Sequence, residues 1–133
     1  MTWLLDTNTI IYAQYRGGSV RDRLDDASSR GRIVTIILVI AELLYGAERS
    51  SRPEANRRKV EQIVGAIDVL PITLATAARF GALKQQLMLR GRVKTDVDLH
   101  IAATAILAGA TLVTNDGALL AGDIDGLVAE NWI

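Results

Sequence analysis

Four carboxylates stand where folding alone gives an acid little to do. Asp6 ends the apolar run Trp3-Leu4-Leu5, Glu42 interrupts an apolar segment from Ile36 to Tyr45, Asp98 opens the apolar stretch Leu99–Leu107, and Asp116 follows Thr111-Leu112-Val113-Thr114. Uncompensated burial of a carboxylate costs several kcal/mol, so such acids take partners or a cation. The chain has one histidine, His100, and no cysteine, which leaves oxygen as the main ligand atom. An all-oxygen set suits a hard cation such as Mg²⁺ or Mn²⁺. Two such ions about 3.5–4 Å apart activate a water and stabilise the leaving oxygen of a phosphodiester. Without metal the same acids repel and raise one another's pKa values. The chemistry implied is metal-dependent attack on phosphate.

Each acid also has a plainer use. Asp6 suits the N-cap of a helix at a strand–helix junction. Glu42 could snorkel to solvent, although its apolar neighbours imply burial. Asp98 fits the first turn of a helix, where the dipole favours an acid, and Asn115-Asp116-Gly117 is a turn signal in itself. Asp96, two residues before Asp98, is either a further candidate or only a cap. His100 lies about 200° around a helix from Asp98, which makes it a core or supporting residue rather than a general base. A lone histidine excludes a His-pair ribonuclease mechanism, and no nucleophilic serine setting or Gly-rich phosphate loop is visible.

The elements that must position these acids alternate. Thr2–Leu5 reads as a strand, followed by a helix to about Tyr15 that Gly17-Gly18 breaks, and a second helix over Val20–Arg30. Arg32–Thr35 is the second strand. Helices are expected from Ile37 to about Arg49 and from Pro53 to about Ile67. A short strand spans Val69–Ile72, and Thr73 caps a long helix to Leu89. Gly91 to Thr95 is a basic loop, and Thr95 or Asp96 caps the helix that carries Asp98 and stops at Gly109. Thr111–Thr114 and Leu127–Trp132 complete the strands. The expected fold is α/β: a mostly parallel sheet of four to five strands between helical layers, with functional groups at the strand carboxyl ends.

The 133 residues suffice for one domain, residues 1–133, with a single core. Mean hydropathy is +0.23, high for a small monomer, so part of the apolar surface is expected to meet a partner. Net charge is zero, and bulk electrostatics does not announce a nucleic-acid binder. Aromatics make up only 5%, so platforms for base stacking look scarce. Arginine dominates the basic side, clustered at Arg49, Arg52, Arg57, Arg58 and at Arg90, Arg92, as suits bidentate phosphate contacts. Met1 leads straight into a strand, and no window approaches the roughly 18–20 apolar residues of a membrane span; the expected location is cytoplasmic.

Taken in order, Leu4-Leu5-Asp6-Thr7-Asn8, Ala41-Glu42-Leu43-Leu44-Tyr45-Gly46, Asp98-Leu99-His100-Ile101-Ala102-Ala103-Thr104-Ala105 and Leu112-Val113-Thr114-Asn115-Asp116 resemble the PIN-domain ribonucleases, most of all the VapC-type toxins of toxin–antitoxin modules. The resemblance runs from Leu4 to Glu130-Asn131-Trp132. It implies an α/β/α domain whose acids, here Asp6, Glu42, Asp98 and Asp116, hold one or two Mg²⁺ or Mn²⁺ ions for cleaving RNA. Asn8 and Thr114 match the family's small polar residues beside the acids. Val93-Lys94-Thr95 departs from the usual approach to the third acid. The resemblance also implies a cognate antitoxin protein and a homodimer, and the segment Glu42–Tyr45, with Tyr12 and Val60–Val64, is a candidate groove for the antitoxin.

Two other classes of function compete. A metal-dependent phosphatase with an aspartyl nucleophile wants a second acid two residues after Asp6, where Asn8 stands. A receiver-like or purely interacting domain with an acidic pocket wants paired acids at the first strand end and a late lysine; Asp6 stands alone, and no lysine follows Lys94.

Overall fold

In a computed structural model of residues 1–133, five short strands form one wholly parallel sheet: β1 (Thr2–Leu5), β2 (Arg32–Ile36), β3 (Asp68–Leu70), β4 (Thr111–Val113) and β5 (Val128–Glu130). Their order across the sheet is β3-β2-β1-β4-β5. The chain moves outward from β1 to β3, then returns to the other side of β1 for β4 and β5. Strand order therefore reverses between β1 and β4, and the crevice outside their carboxyl ends is where such folds place ligands.

Parallel strands need crossover helices, which cover the sheet on both faces. The first layer holds α1 (Thr7–Tyr15), α2 (Gly18–Arg30), α3 (Ile37–Glu48) and α4 (Pro53–Ala66); α1 packs on α2 and α3, and α3 on α4. The second holds α5 (Leu74–Leu89) and α6 (Asp96–Ala108), packed together. A single turn, α7 (Gly117–Leu120), precedes β5. The core is built from Leu4, Leu5, Val34, Ile36, Leu112 and Val113 of the central strands, with Val39, Leu99, Ala102, Ala103 and Ala105 of the helices against them.

The layout follows the sequence expectation, with local differences; β2 runs one residue further, to Ile36, and β4 stops one short, at Val113. β3 stops at Leu70, because Pro71 has no N–H to continue a ladder. α2 starts at Gly18 rather than Val20, and β5 is confined to Val128–Glu130. Asn115-Asp116-Gly117, read as a turn, leads into α7. The choice of cap for α6 falls on Thr95, whose side chain accepts from the Asp98 N–H at 3.1 Å.

Two glycines are held by geometry. Gly109 ends α6 in the left-handed region at φ 62°, and Ala110 N–H reaches back to the Ala105 carbonyl at 2.9 Å. Gly31 precedes β2 where a Cβ would lie 2.1 Å from the Met1 carbonyl oxygen. That carbonyl accepts from Arg32 N–H, starting the pairing of β1 with β2.

Candidate active site

Leu5 and Val113 are register partners at the ends of β1 and β4. The ladder runs one step further, with Asp6 N–H donating to the Val113 carbonyl at 3.2 Å. Asp6 is thereby fixed by backbone pairing before its side chain does anything. It is buried, and its Oδ1 caps α1 by accepting from Thr9 N–H at 2.9 Å. Its Oδ2 accepts from the Thr114 hydroxyl at 2.5 Å. Thr114, wholly buried, accepts in turn from Asp116 N–H at 3.0 Å. Asp116 caps α7 through Ala118 N–H at 2.9 Å. The capping role read from sequence for Asp6 is real, Asp116, read as a turn residue, also proves to be a cap, and both face the crevice.

Asp98 enters from the other layer, in the first turn of α6, and Glu42 from α3, which follows β2 without a loop. Asp6, Glu42, Asp98 and Asp116, with Thr7, Asn8, Val97 and Ile101, line one cleft of about 120 Å³. Four carboxylates face this space, and no lysine, arginine or histidine does. The strain shows at Asp98. Burial first, then the negative charge of Asp116 and more remotely that of Asp6, push its carboxyl above the ordinary range, against a hydrogen bond from Thr95.

The donor set is all oxygen and its charge is uncompensated, which fits a hard divalent cation. The side chains do not yet form a finished cage: no three of them converge on one point as a ligand set. Glu42 is the freest of the four. Against the expectation from its apolar neighbours it is exposed, because Leu43 and Ala47 take the buried side of α3. The Thr7 hydroxyl donates to its Oε2 at 2.6 Å and turns it toward the cleft.

The remaining candidates separate cleanly. Asn8 lines the cleft, and its amide donates to Asn115 Oδ1 at 3.3 Å. Thr114 lies behind Asp6 rather than in the cleft wall. Asp96 is outside it, exposed and paired with Lys84 at 2.9 Å. His100 stacks on Phe80, ring centroids 4.2 Å apart, as a packing residue does.

Sequence reading missed a neighbouring support. Lys94 is almost sealed from solvent and pairs with Asp123 at 2.9 Å, while its ammonium donates to the Ala118 carbonyl at 2.5 Å. The basic loop before Asp98 is thus tied to the turn that Asp116 caps. Arg92 and Arg90 join the same acidic loop, at 3.6 Å from Asp123 and 3.5 Å from Asp125. These cations, expected to be phosphate ligands, are engaged internally. Nothing local in the sequence joins Lys94 to Asp123.

The PIN domain family model matches residues 3–123. Ribonuclease VapC2 of Haemophilus influenzae is 33% identical, over 100% of this chain and 99% of its own length. The tRNA(fMet)-specific endonuclease VapC of Shigella flexneri is also 33% identical, over 99% of this chain and 98% of its own. A chain in the crystal structure of VapBC2 from Rickettsia felis bound to a promoter DNA fragment superposes with a TM-score of 0.92 at 30% identity, covering 100% of both chains. With a matching fold, matching length and four acids gathered at the strand-order reversal, the chain belongs to the PIN-domain family, among the VapC ribonucleases.

Proposed function

We propose that this chain, acting as one nuclease domain over residues 1–133, is a toxic Mg²⁺- or Mn²⁺-dependent endoribonuclease that a cognate antitoxin neutralises. The observation that carries the reading is the cleft itself: four carboxylates, no compensating cation, and a position beyond the ends of β1 and β4. Asp6, Glu42, Asp98 and Asp116 hold the cation. When bound, a divalent ion offsets phosphodiester charge and lowers the pKa of an attacking water.

The chain's own residues set the geometry. Thr114 aims the Asp6 carboxylate by donating to it, and the α1 backbone holds its other oxygen. Burial and the nearby charge of Asp116 disfavour ionisation of Asp98, so that carboxyl is poised to exchange a proton for a cation. Asn8 stands at the rim, where its amide can meet a phosphate oxygen. A phosphatase built on an aspartyl nucleophile would need an acid in place of Asn8, and a receiver would have no use for Glu42.

Inhibition is read through the relatives, one of them solved as VapBC2. An antitoxin segment that covers the groove from Tyr45 to Glu42 closes the cleft and can place a basic side chain among the acids. No helix is long and apolar enough to cross a membrane, and RNA in the cytoplasm is the substrate that fits. Exposed Leu74, Met88, Leu89 and Val93 around α5 supply an apolar face for a homodimer.

Induced expression tests the reading. The wild-type chain should arrest growth and fragment cellular RNA, and co-expression of the adjacent antitoxin frame should restore growth. Equal arrest by Asp6→Asn and Asp98→Asn proteins would contradict it.

A further inference from the structure

A second groove, of about 400 Å³, lies between α1, α3 and α4 and shares Thr7, Asn8 and Glu42 with the acid cleft. Its far wall carries Tyr15, Tyr45 and Arg49. Tyr15 and Tyr45 are 56% and 67% exposed, more than large aromatic rings usually are. Each has a cation on its face: Lys59 Nζ lies 4.8 Å from the Tyr15 ring and the Arg49 guanidinium 5.4 Å from that of Tyr45. Beside them the Arg16 guanidinium sits 5.3 Å from the Tyr12 ring. The chain has three tyrosines, and all three stand in this layer with a basic partner.

Arg49, which lines the groove, and Lys59, which reaches the Tyr15 ring in its wall, have no carboxylate partner, whereas Arg90, Arg92 and Lys94 near the far end of α5 are ion-paired. Two cations with free charge thus stand at a groove that opens onto the acids. Exposed aromatic rings accept unstacked bases of any sequence, and free cations beside them accept phosphates.

Building on the ribonuclease reading, we infer that the groove is the substrate track: single-stranded RNA lies in it with unpaired bases on Tyr45 and Tyr15 and phosphates on Arg49 and Lys59. The scissile phosphate then falls in the acid cleft, which Thr7 and Asn8 join to the track. Base-paired RNA, whose faces are already stacked, cannot use the tyrosines. An antitoxin segment in the same groove competes with substrate.

The test is fluorescence anisotropy with a labelled single-stranded 12-nucleotide RNA of mixed sequence and a hairpin control. The full chain, free of antitoxin, carries Asp98→Asn throughout so that the probe is not cut. Adding Tyr45→Leu should raise Kd roughly tenfold, with Tyr45→Phe near the parent. Arg49→Gln should weaken binding and flatten its salt dependence. Arg79→Gln, on α5 across the sheet, should do neither. The parent should prefer the single strand to the hairpin. Equal binding of both RNAs, or a Tyr45→Leu Kd within twofold of the parent, overturns the track. So does loss of antitoxin capture by Tyr45→Leu with RNA binding unchanged, which would assign the groove to protein alone. Failure of the ribonuclease reading shows separately, as wild-type protein that binds RNA in Mg²⁺ without cutting it.

Discussion

The Thr114 hydroxyl donates to Asp6 Oδ2 at 2.5 Å while accepting from the Asp116 N–H at 3.0 Å. One buried side chain at the end of β4 thereby sets the carboxylate at the end of β1 and starts the turn that presents the acid of α7. Thr114→Val keeps the shape but takes the partner from the buried Asp6 carboxylate and from the half-buried Asp116 N–H. It should cost about 1–3 kcal/mol of stability by urea unfolding and lower RNA cleavage roughly 10–100-fold, as loss of a ligand-orienting partner does. A Thr114→Ser protein should recover most of both.

Asp98 is half-buried beside Asp116, and its carboxyl is raised above the ordinary range. A group whose folded-state pKa is raised binds its proton more tightly folded than unfolded. Its ionisation therefore draws stability from the metal-free protein as pH rises from the unfolded to the folded pKa. Asp98→Asn should melt at a higher temperature than wild type in EDTA at pH 7, with the gap closing in acid. The same variant should be inactive.

Asp123 is shifted the opposite way: the Lys94 ammonium, paired with it at 2.9 Å, holds its carboxyl below the usual range. The stability this gives is present above the unfolded pKa and is lost as pH falls through the folded one. Wild type should lose stability below about pH 4 more steeply than Asp123→Asn. At neutral pH, Lys94→Met leaves a shielded carboxylate with only the exposed Arg92 at 3.6 Å and should cost up to about 3–5 kcal/mol, with Lys94→Met/Asp123→Leu milder than Lys94→Met alone.

Asp96 and Asp98 differ by two residues in sequence and by location in space. Asp96 is exposed in an ion pair with Lys84, and such pairs contribute about 0–1 kcal/mol. Asp96→Asn should leave both cleavage rate and melting temperature close to wild type. A loss matching that of Asp98→Asn would move the third acid to Asp96.

Much of this was legible from local pattern. Asp6 and Asp116 announce themselves because each follows a short apolar strand, and in a parallel sheet that places them at one end. Thr73 and Gly109 mark helix ends by their own chemistry. What failed to show was set by pairing across the chain. Exposure of Glu42 depends on which side of α3 meets the core, and the apolar residues around it satisfy either rotation. The Lys94–Asp123 pair joins segments with no shared local signal. A low aromatic content suggested few stacking platforms, yet α1 and α3 bring the tyrosines to one layer, where placement outweighs number.

The proposed metal-dependent nuclease site is made by four acids, Asp6, Glu42, Asp98 and Asp116. Its most direct test is single-turnover cleavage of single-stranded RNA by purified, antitoxin-free protein. Cleavage should be supported by Mg²⁺ or Mn²⁺, poorly by Zn²⁺ in an all-oxygen site, and abolished by EDTA and by Asp6→Asn. Cleavage at the full rate in chelator, retained by Asp6→Asn and Asp98→Asn, would contradict the account.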